Sequence, residues 1–153
     1  GADVDDDGVW ELLVGDAHGK VTLFDNAGTN VEPVFCEGTV QFEGKGRVTI
    51  AAADWDGDGD LDMVVGNFAG SFYLFKGEGQ GKFDPQPELL KSDNQPLKIE
   101  GKHSDPFVID WDGDGDQDIL AGNTAGYIGF FEDLGGNAPQ WAAPRLMNSH
   151  GRT

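Results

Sequence analysis

Three short acidic stretches hold the residues whose types and spacing could do chemistry. One reads Asp54-Trp55-Asp56-Gly57-Asp58-Gly59-Asp60-Leu61-Asp62, and another Asp110-Trp111-Asp112-Gly113-Asp114-Gly115-Asp116-Gln117-Asp118. The earliest, Asp3-Val4-Asp5-Asp6-Asp7-Gly8-Val9-Trp10-Glu11, has Asp6 where the others have glycine and closes on Glu11. In a string of the type Asp-x-Asp-x-Asp-Gly, the side chains at positions 1, 3 and 5 converge on one point. The glycine at position 6 lets the chain turn sharply, and position 7 then offers its carbonyl oxygen. The last acid stands at position 9, not at position 12 as in an EF-hand, so the chain returns into a strand instead of a helix. Hard oxygen donors in this number suit Ca²⁺, whereas Mg²⁺ keeps more of its waters and Zn²⁺ prefers nitrogen or sulfur.

The loops recur at intervals of 51 and 56 residues, and their surroundings recur with them: Gly15, Gly66 and Gly122; Gly19, Gly70 and Gly126; Phe24, Phe75 and Phe131. Each loop is followed by a β-rich run (Leu12 to Val14, Met63 to Val65, Ile119 to Ala121), and the second and third are preceded by one (Val48 to Ala53, Phe107 to Ile109). Tight turns opened by Gly-Asp or Gly-Asn and closed by glycine lead into a further strand, Lys20 to Phe24, Ser71 to Phe75 and Tyr127 to Phe131. Weaker outer strands are expected around Val34-Phe35, Lys82-Phe83 and Gln140-Trp141, and no helical period is sustained anywhere. Antiparallel four-stranded units of this length predict an all-β chain of β-propeller blades, with repeat units near 1–45, 46–101 and 102–153. A solenoid of stacked hairpins competes, although its repeats are usually shorter. Three units fall short of a closed ring, and Gly1-Ala2 enters the first loop without a leading strand, so the expectation is one segment of a larger propeller.

The run from Asp54 to Asn67 resembles the FG-GAP or VCBS-type repeat of integrin α-subunit propellers and of many secreted bacterial proteins. The resemblance covers nearly the whole chain as three units. It implies a propeller with Ca²⁺ in the loop between the first two strands of each blade, in an extracellular, cell-surface or periplasmic setting. Carried over position by position, it implies side-chain ligands Asp54, Asp56, Asp58 and Asp62 in the second unit, and Asp110, Asp112, Asp114 and Asp118 in the third. In the first unit they are Asp3, Asp5, Asp7 and Glu11, and the backbone carbonyls come from Val9, Asp60 and Asp116. Two to three ions are expected, the first loop being the most divergent.

The remaining composition narrows the function. The formal net charge is −18, which argues against nucleic acid or an anionic membrane surface as the partner and for cations. Twelve of the 28 acidic residues belong to the three ligand sets, so much of the acidity is metal-binding capacity. The single cysteine, Cys36, excludes an internal disulfide framework or a cysteine-based metal cluster, and no apolar run is long enough to insert in a bilayer. His18, His103 and His150 share no spacing with one another or with an acidic partner, and no serine sits in a nucleophile elbow, so nothing nominates a catalytic residue. The recurring Phe24, Phe75 and Phe131, with Trp55 and Trp111, read as packing core. Trp10, Phe68, Tyr73, Tyr127 and Trp141 do not repeat in kind and are the candidates for stacking a sugar or gripping a protein. The divergent stretch from Asp84 to Asp105 reads as a surface connection suited to contacts. The expected function is a non-catalytic calcium-binding module of a secreted or cell-surface protein that binds a glycan or a protein, completed by further blades or further copies of the chain. The alternative is the propeller part of a carbohydrate-active enzyme such as a polysaccharide lyase.

Overall fold

The computed structural model describes residues 1–135 and 140–147. All of its regular structure is β. The first unit contains β1 (Leu12–Gly15), β2 (Lys20–Phe24) and β3 (Thr39–Glu43), and the second β4 (Val48–Ala53), β5 (Asp62–Asn67), β6 (Phe72–Phe75) and β7 (Glu88–Leu89). A small hairpin, β8 (Lys91–Ser92) and β9 (Gln95–Pro96), precedes the third unit, which contains β10 (Asp105–Ile109), β11 (Asp118–Gly122), β12 (Ile128–Phe131) and β13 (Arg145–Met147). Each unit is one antiparallel sheet with its strands in chain order, three-stranded in the first unit and four-stranded in the other two. The sheets remain open, and no barrel or ring closes among the described residues.

Local chemistry accounts for the hairpins. Asp16 Oδ1 accepts hydrogen bonds from the backbone N–H groups of His18 (2.8 Å) and Lys20 (2.9 Å), and Asn123 Oδ1 does the same for Ala125 (3.0 Å) and Tyr127 (2.9 Å). Asn67 Oδ1 takes the N–H of Ser71 at 3.1 Å. A short Asp or Asn side chain at this place substitutes for a backbone acceptor and fixes the turn. The turn ends at a left-handed residue, φ +101° at Gly19, +82° at Gly70 and +81° at Gly126, which glycine adopts without a Cβ penalty.

Alternation of side chains across the strands gives each sheet two apolar faces, and neighbouring sheets bury them against each other. One core, between the first and second sheets, gathers Val21, Leu23, Val48, Met63, Val65 and Phe75. The other, between the second and third, gathers Val64, Phe72, Leu74, Ile119, Ala121 and Phe131. Phe72 meets Phe131 edge-on with centroids 5.3 Å apart, and Phe42 meets Phe75 at 5.1 Å.

The segments at Val34-Phe35, Lys82-Phe83 and Gln140-Trp141 supply only single bridges, Asn26 to Phe35, Gly77 to Phe83 and Asp133 to Trp141. The outer strands lie further along, at β3, β7 and β13. A turn-rich stretch pinned by one bridge leaves the chain free to cross before pairing again, so hydrophobicity alone misplaces the strand. The stretch from Asp84 to Asp105 is not merely a surface connection, because its Leu90, Leu97 and Ile99 are buried in the second core. Of the aromatics assigned to packing, Phe75 and Phe131 are fully buried, Phe24 and Trp55 partly so, and Trp111 is exposed.

Candidate metal centre

The acidic loops lead into the corresponding strand of each unit, β1, β5 and β11. The second connects β4 to β5, the third connects β10 to β11, and the first precedes β1. Within each, the carboxylates organise the backbone. Asp54 accepts from the N–H groups of Gly57 (2.8 Å) and Gly59 (3.2 Å), and Asp110 accepts from Gly113 (2.7 Å) and Gly115 (3.2 Å). Asp3 accepts from Asp7 (3.1 Å) and Gly8 (2.9 Å) in the same manner. The position-1 side chain thus closes the loop around itself. Positions 4 and 6 are left-handed throughout, at Gly57 (φ +74°) and Gly59 (+98°), Gly113 (+81°) and Gly115 (+99°), and Asp6 (+59°) and Gly8 (+88°). Asp6 adopts the geometry its glycine counterparts have, at a cost of about 1 kcal/mol that a short polar side chain partly offsets.

This wrapping gathers oxygens. One carboxylate oxygen from each of Asp54, Asp56 and Asp58 lies within 4.8 Å of the others, and the same holds for Asp110, Asp112 and Asp114. In the first loop the converging set is Asp3, Asp5 and Glu11. Oxygens around one calcium ion cannot be further apart than about 5 Å, twice a bond of about 2.3 to 2.6 Å, so each set fits one hard divalent cation.

The position-9 acids take two different parts. Asp62 and Asp118 are buried and sit outside the converging trios. Asp62 accepts from the N–H groups of Trp55 (2.7 Å) and Gly77 (2.7 Å), and Asp118 from those of Trp111 (3.0 Å) and Asp133 (2.9 Å). They tie the second residue of the loop to the segment after β6 or β12. Glu11, one methylene longer, accepts from Val4 N–H at 2.9 Å and still reaches the cation point. Asp7 lies outside the first trio and caps Val9 N–H at 2.7 Å. Asp60 and Asp116 follow position 6, their N–H groups bonded to Asp58 (2.9 Å) and Asp114 (3.0 Å).

Burial and mutual repulsion act on the carboxyls in and beneath the loops. Burial pushes the Asp62 and Asp118 carboxyls above the ordinary carboxylate range; their backbone hydrogen bonds oppose this, while the neighbouring position-3 and position-5 carboxylates add to it. Glu11 is raised by burial, and Asp5 by burial and by repulsion from Asp7, Asp3 and Asp25. A positive ion in the loops would relieve that strain.

Lys76 was not foreseen. Its Nζ lies 2.7 Å from Asp56 Oδ2, the one ion pair made by the three trios among the described residues. The counterparts of Lys76 in the repeat are Asp25 and Glu132, so the register alone could have flagged a lysine beside a metal loop. Asn30, also unforeseen, clamps the first loop by accepting from Trp10 N–H (2.7 Å) and donating to the Gly8 carbonyl (3.0 Å).

The aromatic candidates do not form one site. Trp10, Phe68 and Tyr127 are exposed, but Trp10 stands beside an acidic loop while Phe68 and Tyr127 belong to the turns at the other ends of the strands. Phe68 stacks edge-on with His103 at 4.7 Å under the Lys102 ammonium. Tyr73 packs against the first core and Trp141 is buried in the second, 6.0 Å from Trp55, so these two serve packing.

A family profile, the FG-GAP-like repeat, matches residues 3–65 and 54–121. The chain therefore belongs to the FG-GAP-like repeat family, as the resemblance of the Asp54 to Asn67 run implied. No curated protein and no solved structure matches the chain.

Proposed function

We propose that the chain is a calcium-stabilised, non-catalytic binding or assembly module made of β-propeller blades, belonging to a secreted or cell-surface protein. The observation that carries this reading is the convergence of three carboxylates in each of three loops of one repeat, at matching places in the fold. Asp54, Asp56 and Asp58, Asp110, Asp112 and Asp114, and Asp3, Asp5 and Glu11 would hold the ions. Calcium would supply charge neutralisation and a rigid link between consecutive strands, with no reaction. Three divalent ions would cancel a third of the −18 charge. A module of this kind works where calcium is abundant, which fits an extracellular or periplasmic location. Its ligand, a glycan or a protein, would meet the surfaces around Trp10 or around Phe68 and Tyr127.

Calorimetric titration of calcium into chelator-stripped protein tests the reading. Two to three sites are expected, and Asp114→Ala is expected to remove one of them. An absence of binding heat with an unchanged melting temperature would refute it.

A further inference from the structure

The repeat makes each unit a control for the next at the position after Phe24, Phe75 and Phe131, which holds Asp25, Lys76 and Glu132. In the second unit Lys76 places its Nζ 2.7 Å from Oδ2 of Asp56, the position-3 carboxylate of the loop. In the third unit Glu132 is paired with the Arg145 guanidinium. In the first unit Asp25 faces the position-3 carboxylate Asp5 and repels it where a lysine would neutralise it. Asp25 is thus the one of the three without an oppositely charged partner among the described residues.

Around these two acids the surface opens into a cleft of about 450 Å³, a size that suits a small organic group. One wall is the first acidic loop with the end of β2, and the other is the hairpin that follows β6. That hairpin is closed by the bridge between Gly77 and Phe83, and its tip is fixed by a hydrogen bond from the Gly81 N–H to the Val4 carbonyl (2.9 Å). A Cβ on Gly81 would lie 3.6 Å from Leu23 Cδ2 and 3.8 Å from Asp5 Cβ, so the two walls are in van der Waals contact at the base of the cleft. The polar lining sets Asp5, Glu11, Asp25 and Glu78 against one amine, Lys82, which makes no ion pair among the described residues. The apolar lining includes Val4, Leu23 and Phe83, all buried. Carboxylates over an apolar floor suit a cation carried on a hydrocarbon stem: the charge pairs with the acids and the stem covers the floor. An anion would be repelled, and a bare ion would leave the floor unused.

We propose that this cleft binds a primary alkylammonium group. The ammonium lies between Asp5 and Asp25, as the Lys76 ammonium lies against Asp56, and the stem lies over Leu23 and Phe83. That chemistry belongs to a lysine side chain of a partner protein or to a free polyamine. Asp5 is also a member of the first carboxylate trio, so an ammonium and a divalent cation in this unit weaken each other reciprocally. The site itself uses no metal and is tested without one, so its failure and that of the calcium reading are separate results.

The probe is the diamine cadaverine, titrated into the full chain in the presence of chelator at constant ionic strength and followed by amide chemical shifts. Saturable shifts are expected at Leu23, Asp25, Glu78 and Phe83, with none from a diol of the same length. Asp25 is exposed and its side chain accepts no hydrogen bond among the described residues, so its variants should keep the parent spectrum elsewhere. Asp25→Asn should weaken binding severalfold, and Asp25→Lys, which copies the second unit, should abolish it. Unchanged affinity in either variant would overturn the proposal. So would shifts that never saturate and appear equally at all three acidic loops, the mark of a loose cation atmosphere around a chain of charge −18. A capped Gly-Lys-Gly peptide separates the two sources: binding tighter than that of cadaverine assigns the cleft to a protein lysine, and weaker binding assigns it to a free polyamine.

Discussion

At the scale of single residues, three carboxylates brought to one point repel one another unless a cation joins them. Lys76 partly plays that part in the second loop through its 2.7 Å pair with Asp56, and this same pair must be broken or loosened when an ion enters. An exposed pair of this kind is worth about 0.2 to 1 kcal/mol. Lys76→Gln is therefore expected to tighten calcium binding at the second loop by up to about fivefold. Titration of the variant against the parent checks it, and weaker binding would mean that Lys76 helps to hold the loop. The pH dependence has a definite sign. The folded-state carboxyls of Asp62, Asp118 and Asp133 are raised, mainly by burial, above the values they take in the unfolded chain. A raised acid contributes stability that is complete below its unfolded value, about 3.9, and is lost as the pH climbs through the folded one. Calcium-free protein should thus melt at a higher temperature at mildly acidic pH than at neutral pH, and relief of the −18 charge acts in the same direction. With calcium bound the trend should reverse, because protons compete for the ligand oxygens. Melting curves across that range, with and without calcium, decide the matter.

At the scale of elements, the acidic loops, the inner strands and the turns between them were legible because each obeys a local rule. Short continuous apolar runs mark β5 and β11, the Asp or Asn that opens each turn marks the hairpin, and the Asp-x-Asp-x-Asp-Gly string marks the converging oxygens. The outer strands were not legible, since β7 has two residues and β13 three, and their positions depend on which edge is free and not on their own composition. The stretch from Asp84 to Asp105 misleads for a related reason. Its prolines and polar residues advertise a loop, yet Leu90, Leu97 and Ile99 are buried in the core between the two sheets that the stretch connects. Leu97→Ala should consequently cost about 2 to 5 kcal/mol, as for other leucines in a closed core, where a surface leucine would cost a few tenths. Chemical denaturation of the variant measures this, and a loss below about 1 kcal/mol would return the stretch to the surface. Likewise the position-9 acids could not be sorted from sequence, because only packing reveals that Asp62 and Asp118 turn toward backbone N–H groups while Glu11 reaches the cation point.

At the scale of the whole molecule, three sheets of one repeat stack face to face and share two cores, with the acidic loops carried at corresponding corners. Membership of the FG-GAP-like repeat family accounts for the periodicity and for the placement of the loops. The central claim is that the acidity is there to be neutralised by calcium, and that the folded chain alone can bind it. An ion bound only by the folded state stabilises by mass action, on the order of 3 kcal/mol at a hundredfold excess over its dissociation constant. The most direct test is the melting temperature of the chain after chelation and after calcium is restored, with Asp58→Ala and Asp114→Ala alongside. The account predicts a fall on chelation, full recovery with calcium, and a reduced recovery in each variant. A melt indifferent to chelator, calcium and both substitutions would contradict it.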